Sequence, residues 1–225
     1  MEIIVNEEHY NFTEQELENR FIADGNEGNV YRVRYRIPGG ISDDAFKIYK
    51  EFCRKPRLNK EETEYLTKLE TKRFLLPKNL ILDKSNSFIG YTTPFLESYP
   101  KERIKLMKAI ELKKELEKIK EDSEILSENK VEIYDLHLDN LIYNGKNVYI
   151  IDPGSYKIKD SNVSFESNME QVNELFFSLF KCTLKLSKAK LEKLKKYCVH
   201  EDILDIFESV DEKESVSHLI KKILS

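Results

Sequence analysis

Asp135, Asn140 and Asp152 stand inside the run VEIYDLHLDNLIYNGKNVYIIDPGSY, residues 131–156, which is otherwise largely apolar and strand-forming. Two carboxylates and an amide are oxygen donors. Such donors suit a hard cation like Mg²⁺, which takes a few protein ligands and keeps its other positions for phosphates and water. Between LIY and VYII lies Asn144-Gly145, a dipeptide suited to the positive backbone angles of a tight hairpin. A hairpin there carries Asn140, just before its first strand, and Asp152, just after its second, to the same end of the ribbon. Asp135 sits on the loop leading in, so the three side chains are expected to converge on one small volume.

The elements that must position them change character near Pro100. Before it, NVYRVRYRI, AFKIYKEF, LILD and FIGYTT are short segments rich in Val, Ile, Tyr and Phe, separated by the turn signals PGG and SNS. They predict antiparallel strands, with NKEETEYLTKLETKRF between them as a helix. After Pro100 the pattern is mostly helical, with one strand pair inserted. Residues 101–128 carry Ile104, Met107, Ile110, Leu112, Leu116, Ile119 and Leu126 at helical spacing among many Glu and Lys residues, as in a helix with one solvated face. Ser167 and Glu170 form an S-x-x-E capping signature, behind which Met169, Val172, Leu175, Phe176, Leu179 and Phe180 fall on one face of a core helix. In the lysine-rich KCTLKLSKAKLEKLKKYC, Leu191, Leu194 and Cys198 lie on one side and lysines on the other, again as expected of a solvated face.

Composition narrows the chemistry further. The chain has 225 residues, 35% of them charged and 40% hydrophobic, with a net charge of -4, which is the balance of a soluble globular protein with a core of useful size. No basic stripe interleaves with aromatics, so no nucleic-acid surface is expected. The start MEIIVNEEHY is acidic and lacks the basic and apolar regions of a signal peptide, and LFFSLF at 175–180 is too short to span a bilayer. A cytoplasmic protein without membrane insertion is expected, with export as an effector left open. Cys53, Cys182 and Cys198 are widely spaced and read as apolar packing, and the four histidines show no zinc spacing.

With D-L-H-L-D-N followed by I-I-D-P-G, the chain resembles the protein-kinase-like superfamily, in which D-x-x-x-x-N precedes D-F-G. The resemblance implies that Asp135 is the catalytic aspartate and that Asn140 and Asp152 hold Mg²⁺. Upstream, IADGNEGNVYRV resembles the glycine-rich loop, with Gly25 and Gly28 at its second and third glycines, Ala23 in place of the first, and Val30 as the residue over the base. AFKIYK supplies A-x-K on a strand, which makes Ala45 and Lys47 candidates at the nucleotide, with Lys47 on the α- and β-phosphates. Lysine in that role needs a carboxylate partner on the following helix. Glu62 alone has apolar residues at i+3, i+4 and i+7 (Tyr65, Leu66, Leu69), so the Lys47–Glu62 pair is expected. FIGYTTPFLESYP resembles the hinge segment, with Thr93 at the back of the pocket, Phe95 and Leu96 offering backbone groups to adenine, and Ile142 as the apolar floor.

The similarity runs from about Ile22 to Phe180 in the family's order, and its departures carry information. Tyr134 stands where most protein kinases have arginine before the catalytic aspartate, and no arginine follows Arg103. Arginine is the usual bidentate partner of a phosphorylated activation loop, so that form of regulation is not expected. Only about fifteen residues separate Asp152 from Ser167, too few for a long peptide-docking segment. His137 takes the place of the protein-kinase lysine, as in aminoglycoside and choline kinases, where it could donate to the transferring phosphate, or it is a structural histidine in a polar loop. Pro153 replaces phenylalanine after the metal ligand and stiffens that turn.

The expected fold is therefore α+β and two-lobed, similar to the protein kinases. Residues 1–97 form a small antiparallel sheet with one main helix, residues 98–225 form a mostly helical lobe, and ATP·Mg²⁺ lies in the cleft. The expected activity is transfer of the γ-phosphoryl group of ATP to a hydroxyl. The acceptor is either a protein, as for an atypical kinase, or a small molecule, as for the aminoglycoside kinases, with the protein slightly favoured. A nucleotide-binding pseudokinase is the third alternative, set against the retained Lys, Glu, Asp, Asn, Asp series.

Overall fold

A computed structural model describes residues 1–37, 39–51, 58–200 and 202–225. Pro38 of the expected turn, Phe52 at the end of the expected strand and Cys53 lie outside the described residues. The chain is α+β and divides into two compact units. One comprises Met1–Glu70, Leu75–Leu96 and Asp152–Ser155, and the other Thr71–Phe74, Glu97–Ile151 and Tyr156–Ser225.

The first unit is built on an antiparallel sheet of seven strands. These are β1 (Glu2–Val5), β2 (Glu8–Asn11), β3 (Phe21–Asp24), β4 (Gly28–Ile37), β5 (Gly40–Tyr49), β6 (Asn79–Asp83) and β7 (Phe88–Pro94), in the order β2-β1-β6-β7-β5-β4-β3. β4 and β5 pair along their whole length, from Gly28 opposite Tyr49 to Ile37 opposite Gly40. Because side chains alternate along a strand, Val33, Tyr35, Phe46 and Ile48 point to one face. There they bury with Ile3, Val5, Phe12 and Ile81 in a single core. The β1–β2 hairpin, which the sequence reading does not anticipate, turns at Asn6 and Glu7 with φ of 51° and 66°. This is the two-residue turn that matches strand twist, made without the glycine that usually announces it.

Two short helices belong to this unit: α1 (Glu14–Glu18) and α2 (Lys60–Leu66). The expected helix through Phe74 stops at Leu66, with Thr67 as its C-cap. Beyond it, residues 71–74 belong to the second unit, where the buried Asp122 carboxylate accepts from the backbone N–H of Lys72 (2.9 Å), Arg73 (2.5 Å) and Phe74 (3.0 Å). Donors committed to a carboxylate are not available to continue a helix.

The second unit centres on α3 (Ala109–Glu128) and α4 (Phe165–Thr183), followed by α5 (Lys188–Lys195) and α6 (Val216–Ile223). The expected helix from 101 is interrupted. Residues 101–106 form a tighter helical turn, and Met107 and Lys108 are extended because Ala109 N–H donates to Glu214 C=O (2.7 Å) and Val216 N–H to Met107 C=O (2.9 Å). Likewise α4 starts three residues earlier than the S-x-x-E signature indicates, since Ser164, not Ser167, accepts at the N-cap. Its apolar face is as read: Met169, Val172, Leu175, Phe176, Leu179 and Phe180 are all buried. Cys198 is buried as well, and burial pushes its thiol up to about 12, while Cys182 is exposed. Two strand pairs occur here rather than one: β8 (Val131–Glu132) with β11 (Lys157–Ile158), and β9 (Leu141–Tyr143) with β10 (Val148–Ile150). Among the described residues no helix is long and apolar enough to cross a membrane.

Asp122 is the test of how strongly these segments are tied. Asp122→Ala leaves three N–H donors without their acceptor, that of Phe74 buried and those of Lys72 and Arg73 part-buried, and is expected to lower stability by about 3 kcal/mol. A urea titration of the variant against the parent protein measures the difference.

Candidate functional site

The register of the sheet decides which side chains share a surface. Val30 on β4 lies opposite Lys47 on β5, and Lys47 lies opposite Tyr91 on β7. One row along, Arg32 lies opposite Ala45, which lies opposite Thr93. Val30, Ala45, Lys47 and Thr93 therefore stand on one face, away from the core formed by Val33, Phe46 and Ile48. Arg32, not singled out from the sequence, occupies the same face. Its guanidinium donates to both oxygens of Asp43 (3.0 and 2.8 Å) and stacks 4.0 Å from the centroid of Phe95. Hydrogen bonds from Arg32 first, and from Arg34 second, hold the Asp43 carboxyl down to about 2. Phe95 N–H donates to Asp43 C=O (3.0 Å), so that N–H is not one Phe95 can offer to a base.

At the far end of this face lies a compact charge cluster. Lys47 is only 8% exposed, and its ammonium bonds the Glu27 carboxylate at 2.7 Å and Asp152 Oδ1. Tyr91 donates its hydroxyl to the same Asp152 oxygen (3.3 Å), and its ring faces the ammonium. Burial, then the nearby Asp152 charge, pushes the Tyr91 phenol well up, so it remains a neutral donor. Gly154 N–H also points to Asp152 Oδ1 (3.4 Å). A methyl group on Gly154 would come within 2.3 Å of Glu27 Oε2 and 3.0 Å of Lys47 Nζ, so the glycine of DPG is what lets the cluster close. Asp152 itself has φ of 64°, a left-handed conformation that is uncommon for a side-chain-bearing residue and concentrates at functional sites.

The carboxylate on Lys47 is thus Glu27 of the glycine turn, and not Glu62. Glu62 is spent on its own helix: Oε2 accepts from Asn59 N–H (2.9 Å) and its N–H donates to Asn59 Oδ1 (2.8 Å), a capping box at the start of α2. The signal was present as N-x-x-E at 59–62 and competes with the inward-face argument. Between Ala23 at the exposed end of β3 and Val30, the turn closes by Gly25 N–H to Gly28 C=O (3.0 Å). Gly28 is required because a Cβ there would sit 2.4 Å from Ile48 O, so its absent side chain serves strand packing.

The second unit carries the remaining candidates. Asp135 is exposed and, like Asp152, left-handed, with φ of 56°. His137 is exposed, and its N–H donates to Asn140 Oδ1 (3.2 Å). Asn140 is buried, and the hairpin locks it by Ile151 N–H to Asn140 C=O (2.7 Å). The hairpin turn follows the Asn-Gly signal: Gly145 has φ of 90°, and Asn144 Oδ1 accepts from Lys146 and Asn147 N–H. Ile142 is half-buried on the side of β9 opposite the buried Leu141 and Tyr143. Asn168 of α4, missed in the sequence, holds the strand leading to Asp135. Its amide accepts from Ile133 N–H (2.8 Å) and donates to Val131 C=O (2.9 Å) and Ser127 Oγ (2.8 Å). Tyr134 is covered by the ammonium of Lys157 at 4.1 Å, and Lys159 pairs with Glu132 at 2.7 Å. Lys101 donates to Leu138 C=O, and burial lowers its ammonium from the usual lysine range.

Asp152 belongs to the first unit and Asn140 to the second, and each carries an oxygen of the kind a hard cation takes. The contacts described above all fall on Asp152 Oδ1, and the side chain is 42% exposed. No cluster of three His, Cys, Asp or Glu side chains that could hold a metal ion occurs among the described residues. No protein-family model matches the chain, and no curated protein matches it.

Gly154→Ala tests the packing of the charge cluster. It is expected to cost about 2 kcal/mol in a denaturant titration, in the range of overpacked sites. An unchanged midpoint would mean that Glu27 and Lys47 are not held against this residue.

Proposed function

We propose that this chain is an ATP- and Mg²⁺-dependent phosphotransferase with a fold similar to the protein kinases, acting on a hydroxyl acceptor and most simply read as an atypical protein kinase. The observation that carries the reading is the bond between the strand lysine Lys47 and Asp152, 105 residues later, in a chain whose intervening motif is D-L-H-L-D-N. A lysine and an aspartate so far apart, on a sheet face shared with Val30, Ala45 and Thr93, match the order and roles of a nucleotide site.

In this reading Lys47 binds the α- and β-phosphates, and Val30, Ala45 and Thr93 present one sheet face to the base. Asn140 and Asp152 would be the residues to hold Mg²⁺, which would offset the charge of the phosphates. Asp135 orients the acceptor hydroxyl and takes up its proton, and His137 donates to the transferring group. Catalysis then rests on positioning and on electrostatic stabilisation prepared before the reaction. The left-handed backbone at both Asp135 and Asp152 supports the assignment, since such strain is retained where a carboxylate must be aimed. Residues 153–163, between Asp152 and the cap of α4, include β11, which pairs with β8, and this favours an acceptor that needs no long docking segment.

The test follows terminal-phosphate label from ATP, with Mg²⁺, into a cell extract. Asp135→Ala is expected to reduce transfer about 100-fold or more while leaving the circular dichroism spectrum unchanged, with Asp152→Ala as the blank. Label in the protein fraction supports the protein kinase, and label in small metabolites replaces it with a small-molecule kinase. Full transfer by Asp135→Ala would sink the mechanism.

A further inference from the structure

Glu27 lies on the turn between β3 and β4, where the resemblance places a phosphate-binding loop, yet its side chain is turned inward and only 9% exposed. The turn around it is tied at several points. Gly25 N–H donates to Gly28 C=O, Lys50 N–H donates to Glu27 C=O (2.9 Å), and the Lys50 ammonium bonds Gly25 C=O (2.8 Å) and pairs with Asp24. Gly154 leaves the space that the Glu27 carboxylate fills. Of the two carboxylates on Lys47, Glu27 has a 9% exposed side chain and Asp152 a 42% exposed one. The two are suited to different tasks: a buried, backbone-anchored anion holds the ammonium in place, and the exposed one is available to another cation.

We infer that Glu27 is the positioning residue for Lys47, so that the glycine turn carries both the approach to the phosphates and the anion that aims the lysine at them. This rests on the nucleotide reading above. It removes the need for a glutamate on α2, whose only candidate, Glu62, is engaged in its helix cap. It also couples the turn to the lysine: a displacement of residues 25–28 moves the counter-charge of Lys47 with it.

The test compares Glu27→Gln, Glu27→Asp and Glu62→Gln in the full chain. The readouts are ATP binding with Mg²⁺ by isothermal titration, and kcat and KM for label transfer. Glu27→Gln is expected to weaken ATP binding about tenfold and to lower kcat/KM about 100-fold, with the KM for the acceptor unchanged. Glu27→Asp, which keeps the charge on a shorter arm, should recover part of the loss and serves if the glutamine variant folds poorly. Glu62→Gln retains a residue competent for the capping box and should stay within about twofold of the parent. A loss with Glu62→Gln and none with Glu27→Gln would overturn the inference while leaving the nucleotide site standing. Absence of ATP binding by the folded parent protein is a different result: it overturns the nucleotide reading, and this assignment with it.

Discussion

A lysine ammonium cannot be taken out of water unless anions meet it, and the face of the sheet that holds Lys47 is organised by that requirement. Glu27 and Asp152 reach Lys47 from positions 20 residues before it and 105 after it. One ammonium and two carboxylates carry a net charge of about −1, so removing either carboxylate still leaves Lys47 with one partner, Glu27 being the buried one and Asp152 the more exposed. Three features of the local sequence follow. Gly28 lets β4 approach β5 closely enough for Glu27 to turn in, Gly154 leaves room for its carboxylate, and Tyr91 stays protonated beside Asp152. None of these residues has an ionic role by itself; each is fixed by where the ammonium must sit.

The second unit uses the same principle with side chains that hold backbone instead of each other. Asp122 gathers three consecutive N–H groups of residues 72–74, and Asn168 ties β8 to α3 and α4. Glu115, whose burial would raise its carboxyl, is instead held low by Arg73 and Lys118, and it also accepts from Val148 N–H (3.2 Å) at the start of β10. Buried polar groups fully satisfied in this way confer a definite arrangement on segments too short to order themselves. Two of these contacts, Asn168 with Ile133 and Glu115 with Val148, hold the strands before Asp135 and after Asn140, so α3 and α4 help to fix the loop between them.

The surroundings of Tyr134 show what replaces a regulatory phosphate contact in the proposed reading. Where the resemblance leads one to look for an arginine, an aromatic ring lies under Lys157, and Glu132 pairs with Lys159. The segment after Asp152 is thus held by charges already on the chain, on strands β8 and β11 that are paired without modification.

Much of the architecture is legible because it depends on short-range rules. Alternation in NVYRVRYRI and AFKIYK marks β4 and β5 and sorts Lys47 from Phe46 and Ile48. Asn144-Gly145 marks the β9–β10 turn, and the apolar spacing of 169–180 marks the buried face of α4. The β1–β2 hairpin is hidden by its brevity and its Asn-Glu turn. The break at Lys108 is hidden because the groups that end that helix, Glu214 and Val216, are far away in sequence, and residues 72–74 are drawn out of the expected helix by the distant Asp122.

The partner of Lys47 marks the boundary most clearly. The sequence by itself determined that a strand lysine would need a carboxylate, that Asp152 would follow a hairpin, and that Glu62 was one acid able to face inward. Only the tertiary structure decided among the acids, because the choice depends on which carboxylate is already satisfied locally and which has room beside the ammonium. Glu62 meets its own N-cap within one helical turn, whereas Glu27 finds Lys47 only after β4 and β5 have paired and Gly154 has come beneath them.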